Sequence, residues 1–257
     1  MAIIDGMMHL EVVGTYWDGL FEEILEHYDA AGIDKGVVLT TWMPSRESND
    51  HTRAAVRRYP DRFIPFGHVR PIDDWGRELR RITQEFGWIG LKLHQGELRH
   101  GVPALGPNMR AVADVIVRRA AELGIRLVKI HLSEYDAVDQ LSRDIPEVTW
   151  LLPHMGCYFR GQEMQRYCEL ARGRPNVYLD TSATDRYYDL GKAVRWAGAD
   201  KITFASDGHL FSPLVEKAKI DTLRLPTPHR TPRLTDAEYA LIMGGTMARL
   251  LGLTSDA

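Results

Sequence analysis

Eight short runs of apolar and β-branched residues recur along the chain, and this recurrence limits the fold more than any other feature. The first is AIIDGMMH at 2–9 and the last is KITFASD at 201–207. Between the runs lie segments with helical periodicity, such as DGLFEEILEHYDAAGI at 18–33. Strands that alternate with helices in this way predict right-handed βαβ units and a parallel sheet.

The number of units favours a (β/α)8 TIM barrel over a doubly wound open sheet, which usually has fewer strands. The sequence carries neither a GxGxxG nor a GxxxxGK[ST] phosphate-binding motif. A length of 257 residues suits one barrel, so we expect a single domain over residues 1–257. The irregular stretch 208–233, with four prolines, follows the last run, where it can cover the barrel mouth.

Composition limits the partners and the compartment. A net charge of -3 gives no basic surface for a search along nucleic acid or anionic lipid. The cysteines, Cys157 and Cys168, are too few for a disulfide scaffold and favour a reducing compartment. Neither a signal-peptide pattern nor a membrane-spanning apolar run is present. We therefore expect a cytoplasmic protein with a small-molecule substrate and with no nucleic-acid or membrane partner.

Polar side chains collect where the predicted strands end, which in a barrel is the face that carries the active site. Six of the ten histidines lie at or just past these ends. The residues concerned are Asp5, Met7, His9, His68, Arg70, Lys92, His94, His131, Glu134, His154, Asp180, Asp207 and His209. Side-chain alternation puts Asp5, Met7 and His9 on one face of the first strand.

The same reasoning predicts that His9, His131, His154 and Asp207 converge at the barrel mouth. Imidazole nitrogens and a carboxylate are the ligands that a divalent ion such as Zn²⁺ prefers. A site with three protein ligands keeps one position open for water, whose pKa the metal lowers toward 7. The alternative is a set of buried polar residues that only satisfy one another.

The order of these motifs along the chain resembles the amidohydrolase superfamily. The motifs are IIDGMMH, GLKLHQ, KIHLSE, LLPHMG, VYLDTSA, FASDGHL and a closing GGTMARLLGL. The closest branch is the amidohydrolase-related (amidohydrolase 2) one, which holds small metal-dependent hydrolases and non-oxidative decarboxylases. The resemblance extends from Ile3 to Leu253 and implies a (β/α)8 barrel and, as is frequent in that family, a homodimer.

The resemblance also implies roles for individual residues. His9, His131 and Asp207 match metal ligands, and the implied cofactor is one divalent ion, Zn²⁺ in the first instance. Asp207 also matches the base that takes a proton from the attacking water, while His154 matches a ligand or a catalytic acid/base. These matches predict that metal-activated water attacks an ester, lactone or amide. Non-oxidative decarboxylation of an aromatic or enolic acid is the alternative within the family.

Met7 departs from the family pattern, which usually has histidine or glutamate at this place. A second ion would therefore be poorly supported, although a lysine at the position of Lys92 can bridge two metals in binuclear relatives. Lys129 is a further anomaly, because alternation points it into the barrel, where an ammonium is costly unless an acid such as Asp5 pairs with it. Met7 and Lys129 leave a third alternative open, a metal-free barrel that binds a ligand or works by acid–base catalysis.

Further residues are predicted to contact the substrate or to support the ligands, namely Lys92, His94, His68, Arg70 and His209. Arg70 can bind a substrate carboxylate through paired hydrogen bonds, or can form a structural salt bridge. Cys157 beside Met7 would offer a soft Cu(I) site, against the commoner role of a buried apolar cysteine. Tyr158 and Phe159 either line the pocket or begin the packing face of the next helix.

Overall fold

The structure is a computed structural model that describes residues 2–11, 15–101, 108–157, 161–226 and 232–253. Its eight strands form one sheet in chain order, and every neighbouring pair is parallel. They are β1 (Ile4–His9), β2 (Lys35–Leu39), β3 (Phe63–His68), β4 (Gly90–His94), β5 (Leu127–His131), β6 (Thr149–Leu152), β7 (Val177–Asp180) and β8 (Ile202–Thr203).

The first and last strands meet and close the sheet. The Gly6 amide donates to the Phe204 carbonyl at 2.8 Å, and the Asp207 amide donates to the Met7 carbonyl at 2.9 Å. The His9 amide continues this seam with a 2.6 Å hydrogen bond to the Gly208 carbonyl. Eight parallel strands closed in this way confirm the predicted (β/α)8 barrel.

Helices connect the strands and surround them. They are α1 (Leu20–Ala31), α2 (Ser45–Arg58), α3 (Trp75–Arg80), α4 (Gln95–Leu98), α5 (Met109–Glu122), α6 (Tyr135–Asp144), α7 (Met164–Gly173), α8 (Tyr187–Ala197), α9 (Pro213–Thr222), α10 (Asp236–Ala240) and α11 (Thr246–Leu251). The α1 helix is an example of a helix with one apolar face, because Leu20, Ile24, Tyr28 and Ala31 form its buried stripe. The helix ends at Gly32, which lies in the left-handed region at φ 66°. No helix in the described ranges combines the length and the apolar character that crossing a bilayer requires.

Apolar side chains pack in two layers. The larger layer lies between the helices and the outside of the barrel and includes Tyr28, Ile116 and Trp150. The smaller cluster includes Met7 and Phe66 and packs in the barrel interior. Burial on both sides explains why the strands read as nearly continuous apolar runs.

The alternation along β1 is broken, so one expectation is wrong. The pairing of β1 with β2 shifts register between Asp5 and Met8. Asp5 therefore faces the helix layer, where it accepts hydrogen bonds from the Tyr28 hydroxyl at 3.0 Å and from the Ser206 amide at 2.8 Å. Asp5 does not share a face with Met7 and His9, because the irregularity re-aims the side chains that follow it.

Two predicted elements are described only in part. Tyr158 and Phe159, considered as pocket residues, lie outside the described residues, as do positions 227–231 of the irregular stretch. The described part of that stretch includes α9, which begins at Pro213 and is separated from the end of β8 by nine residues.

Candidate active site

A cavity of about 240 Å³ opens at the carboxyl ends of the strands, where a barrel carries its active site. It is lined by His9, Trp42, Lys92, His94, Gln95, His131, His154, Asp207 and Leu210. The predicted convergence of three histidines and one aspartate is therefore present in the fold. Two further predicted residues, Lys92 and His94, lie on the same wall.

His9 is held from both sides by carboxylates. Its Nδ1 lies 3.1 Å from Glu11 Oε1, and its Nε2 lies 3.2 Å from Asp207 Oδ1. Burial by itself would lower the pKa of His9, but the charges of Glu11 and Asp207 and their hydrogen bonds raise it to about 9. Glu11 is fixed in turn by Thr41, whose amide donates at 2.8 Å and whose hydroxyl donates at 2.7 Å.

The opposite wall carries neutral imidazoles. The ring of His131 contacts the rings of His94 and His154, at centroid distances of 4.6 and 4.8 Å. Burial lowers the pKa of His131, and the neighbouring cationic groups lower it further. Burial also lowers the pKa of His94, with the Lys92 charge adding to the effect. Both rings therefore keep a nitrogen lone pair at neutral pH, as metal ligands and general bases must.

Asp207 supplies the negative charge of the cavity. Burial tends to raise the pKa of this carboxyl, but the hydrogen bond and charge of His9, aided by His154 and Lys92, hold it below its ordinary value. Asp207 is therefore a carboxylate at neutral pH. A buried carboxylate beside a cavity is suited to accept a proton from water or to bind a cation.

Lys92 and Met7 contact each other inside the barrel. The Lys92 ammonium lies 3.5 Å from the Met7 sulfur, and both side chains are buried. Burial and the nearby Lys129 charge lower the pKa of Lys92 to about 8. The amine of Lys92 remains largely charged at neutral pH and brings positive charge to the cavity wall.

Lys129 pairs with Asp180 and not with Asp5, the partner suggested by the sequence. Its ammonium lies 2.5 Å from Asp180 Oδ2, in a pair with no exposed surface, and not beside Asp5. The register explains this pairing, because Asp5 has turned outward whereas β7 presents Asp180 to the interior. Lys129 is not among the cavity-lining residues, and its nearest counter-charge in the described contacts is Asp180. Its role in place of a metal ion stays a prediction.

Backbone strain coincides with the cavity. Trp42, His154 and Asp207 all have positive φ, at 63°, 58° and 57°. This region costs non-glycine residues about 1–2 kcal/mol each, and such residues cluster at functional sites. Each of the three terminates or follows a strand and turns its side chain into the cavity, so the strain accompanies the orientation of the lining residues.

Three predicted substrate contacts lie away from this lining. His68 is fully buried, with Nε2 at 2.6 Å from Glu97 Oε2. The nearest carboxylate to Arg70 is that of Asp73 at 3.9 Å, and the ring of His209 packs edge-on against Trp17. Their predicted contact with a substrate carboxylate or with the cavity rim has no support from the lining and stays a prediction.

The copper alternative is also unsupported. Cys157 is buried, and its thiol contacts the backbone oxygen of His154 at 3.5 Å. Burial raises the pKa of Cys157 to about 12. The side chain is therefore a thiol at neutral pH, in keeping with the apolar role considered for it.

Several lining or supporting residues escaped the sequence analysis. Trp42 follows β2, the one strand whose end has no ionisable residue. A search for titratable residues at strand ends therefore does not select it. Glu11 continues the alternation that begins at His9, and this spacing could have revealed it. Gln95 and Leu210 directly follow His94 and His209. An amide or an apolar side chain at such a position does not by itself indicate a functional site.

The donor chemistry fits one divalent ion. His9, His131 and Asp207 offer two imidazoles and a carboxylate, and Glu11 behind His9 is the kind of carboxylate partner that orients a metal-binding histidine. Within the described ranges, however, no group of three or more histidine, cysteine, aspartate or glutamate side chains is arranged to hold an ion. An ion bound to both His9 and Asp207 would have to replace the contact between His9 Nε2 and Asp207 Oδ1.

Comparison with known proteins agrees with this fold. The sequence profile of the amidohydrolase family matches residues 12–253. The chain belongs to the amidohydrolase family. Its amidohydrolase-2 branch is the one that the order of motifs resembled, so that prediction is confirmed. No functionally curated protein sequence matches the chain.

Solved structures of other enzymes share this amidohydrolase barrel at low sequence identity. The 5-carboxyvanillate decarboxylase of Sphingomonas paucimobilis is 15% identical, with a TM-score of 0.68 over 98% of this chain and 99% of that one. The 4-oxalomesaconate hydratase of Rhodopseudomonas palustris is 18% identical, with a TM-score of 0.68 over 98% and 96%. A dihydroxybenzoic acid decarboxylase from Polaromonas, solved with bound manganese, is 16% identical, with a TM-score of 0.67 over 98% and 97%.

Proposed function

We propose that this amidohydrolase-family protein is a metal-dependent hydrolase of small molecules that cleaves an ester, lactone or amide bond. The observation that carries the proposal is the convergence of His9, His131, His154 and Asp207 on one cavity at the carboxyl end of the barrel. These residues combine a carboxylate base, neutral imidazoles and a charged imidazole within one small volume. Such a constellation is suited to proton transfer and to stabilisation of developing negative charge.

A divalent ion held by Asp207, His131 and His9, with His9 giving up its Nε2 proton on binding, would supply Lewis-acid polarisation and a bound water of lowered pKa. The side chain of Asp207 takes the proton from the attacking water, since it is a carboxylate that faces the cavity. His154 serves in the later proton transfer to the leaving group. The Lys92 ammonium stabilises negative charge that develops on the substrate, because it reaches the cavity wall and has no carboxylate bonded to it in the described contacts.

The cavity favours a small, flat or compact substrate. Its volume of about 240 Å³ lies below the range of about 300–1,000 Å³ for drug-sized ligands. Trp42 forms part of the rim, with 45% of its surface exposed and its ring in edge contact with His94 at 4.6 Å. An exposed indole beside the opening offers an apolar surface to a planar group of the substrate.

A second candidate is non-oxidative decarboxylation, and Lys92 favours it. A buried ammonium in the cavity can bind the carboxylate of the substrate before CO₂ leaves. Two of the three solved structures compared above are named as decarboxylases. Hydrolysis and decarboxylation would use the same residues, so the products must separate them.

The test is a product assay on protein stripped with a chelator and reloaded with zinc or manganese. Small lactones, esters, amides and hydroxybenzoic acids are supplied, and acid release and CO₂ are measured separately. The Asp207→Asn variant should lose about 10²–10⁴-fold in kcat if Asp207 is the base. The matched control is Asp236→Asn, which alters a carboxylate whose side chain is 89% exposed on α10.

Three outcomes are distinguishable. Acid release that requires the metal supports hydrolysis, and CO₂ release with the same requirement favours the second candidate. Equal activity of the stripped and reloaded protein would contradict the metal dependence and favour acid–base catalysis without an ion. Full activity of the Asp207→Asn variant would contradict the assigned base.

A further inference from the structure

A hydrogen-bonded chain of buried residues supports His154 from behind. The His154 Nδ1 lies 3.0 Å from the Ser182 hydroxyl oxygen and 3.2 Å from the Ser182 carbonyl oxygen. The Ser182 hydroxyl lies 2.5 Å from Asp180 Oδ1 and donates to it. Asp180 Oδ2 in turn accepts from the Lys129 ammonium at 2.5 Å. Ser182, Asp180 and Lys129 do not line the cavity, but hydrogen bonds link them in this order to Nδ1 of His154, which does line it.

The hydrogens available in this series of hydrogen bonds determine which nitrogen of His154 is protonated. A serine hydroxyl has one hydrogen, and Ser182 gives it to the Asp180 carboxylate, which has none to give. The Ser182 hydroxyl and carbonyl oxygens therefore both face Nδ1 as acceptors. Only a protonated Nδ1 forms a favourable contact with two acceptors, so the hydrogen of the neutral ring lies on Nδ1 and Nε2 has the lone pair.

We propose that Ser182 and Asp180, with Lys129 as the counter-charge, are positioning residues that hold His154 as the Nδ1-protonated tautomer, so that Nε2 accepts a proton in the cavity. The catalytic meaning of this assignment rests on the proposed function, whereas the tautomer itself does not. The arrangement is analogous to a catalytic histidine whose far nitrogen is fixed by a hydrogen-bonded partner.

Several hydrogen bonds fix the position of the Asp180 carboxylate. Its Oδ1 accepts from the His154 amide at 3.0 Å, from the Ser182 amide at 3.1 Å and from the Ser182 hydroxyl. The carboxylate therefore ties the residue after β6 to the turn after β7, and it fixes the His154 backbone as well as its ring. Burial tends to raise the pKa of Asp180, but the Lys129 charge, together with His154, lowers it below its ordinary value.

Lys129 and the intervening hydroxyl distinguish His154 from His9. His9 bonds directly to Glu11, a carboxylate that has no lysine beside it in the described contacts. His154 meets its carboxylate only through Ser182, and that carboxylate is already neutralised by Lys129. His9 thus contacts a carboxylate directly, whereas His154 contacts one only through a hydroxyl.

The assignment restricts the chemistry of His154. A neutral ring with its hydrogen on Nδ1 cannot donate from Nε2 to polarise a carbonyl. Nε2 must first receive the proton that Asp207 takes from the attacking water, and it can then pass that proton to the leaving group. The histidine thus acts as acceptor before donor, and the carbonyl must be polarised by another group.

The direct test is the ¹⁵N NMR spectrum of histidine-labelled protein at neutral pH, in chelator-treated form. The His154 signals are identified by their loss in a His154→Gln variant. We expect a protonated Nδ1 and an unprotonated Nε2. A protonated Nε2 with a bare Nδ1 would overturn the proposal, whatever the enzyme does.

Variants then test the role of Ser182. The Ser182→Ala variant loses the shorter of the two Nδ1 contacts, so the population protonated at Nε2 should rise. Its kcat on any substrate found above should fall by about 10–100-fold with little change in KM. Ser142→Ala is the matched control, because Ser142 is a buried serine on α6 that bonds the Asp139 carbonyl, far from His154.

The outcomes separate this proposal from the proposed function. If no hydrolysis or decarboxylation is found but the wild-type tautomer and its shift in Ser182→Ala are as expected, the positioning role stands alone. If activity is found and the Ser182→Ala spectrum matches the wild type, Ser182 is merely structural and the proposal fails.

Discussion

The Lys92 ammonium and the Met7 sulfur lie 3.5 Å apart inside the barrel, and neither side chain has appreciable exposed surface. A thioether is a weak acceptor that cannot neutralise the charge of a lysine, so the positive charge of Lys92 is directed to the cavity. Among the predicted metal ligands, His9 alone comes from the first strand. Met7 is therefore the position at which a contribution of the first strand to metal binding can be tested.

Replacing the thioether with an imidazole should strengthen metal binding. We expect Met7→His to bind Zn²⁺ or Mn²⁺ more tightly than the wild type, because a neutral imidazole is a far better ligand. A double variant, Met7→His with Lys92→Met, should bind more tightly still, since the repelling ammonium is gone. Isothermal titration with each metal measures the change.

Met7→Leu is the matched control for that experiment, because it keeps an apolar side chain of similar volume and should not gain affinity. Equal affinity of the histidine and leucine variants would mean that residue 7 does not contribute to the metal site.

Breaking the buried ion pair should destabilise the fold. Lys129→Met leaves the Asp180 carboxylate buried without a counter-charge, and loss of one partner of such a pair costs about 3–5 kcal/mol of unfolding free energy. Urea unfolding at neutral pH measures this loss. The double variant Lys129→Met with Asp180→Asn should recover much of the stability, because no unpaired charge remains. A double variant as unstable as the single one would show that the pair is not the cause.

The Asp5 carboxyl should make stability depend on pH. Burial raises its pKa from 3.8 to about 6, although hydrogen bonds from Ser206, Met7 and Tyr28 oppose the effect. Between these values the folded state keeps a proton that the unfolded state releases, so stability falls as pH rises from about 4 and the loss is complete above about 6. The shift corresponds to about 3 kcal/mol.

Comparison with Asp5→Asn isolates this effect, because an amide does not titrate. The unfolding free energy of the wild type, relative to that variant, should drop by about 2–2.5 kcal/mol between pH 4 and pH 7. The difference in unfolding free energy between the wild type and the exposed Asp236→Asn variant should show no comparable drop. A constant difference between wild type and Asp5→Asn would contradict the raised pKa.

The strained backbone at Trp42 can be examined with two substitutions. Trp42→Ala and Trp42→Gly both remove the indole from the cavity rim, but only glycine adopts φ 63° without strain. We expect the glycine variant to be more stable than the alanine variant by about 1–2 kcal/mol, and both to raise KM for a planar substrate. Thermal or urea unfolding and steady-state kinetics measure the two effects. An alanine variant at least as stable as the glycine variant would argue against strain at this position.

Much of the fold and of the candidate site follows from the sequence alone. Eight apolar runs with helical segments between them predict a barrel, because each run and each helix is a local pattern. The site residues could be found because a barrel brings every strand end to one face. His9, His131, His154 and Asp207 were therefore predicted to converge without any knowledge of their distances.

The partners of the buried charges were decided only by the tertiary structure. Lys129 and Asp180 are 51 positions apart, and the register irregularity in β1 is what turns Asp5 away from the interior. The contact of Lys92 with Met7 and the support of His154 by Ser182 likewise join distant segments. Local periodicity assigns a side chain to a face, but the partner it meets there depends on strand register, on closure of the barrel and on the space that the other side chains leave.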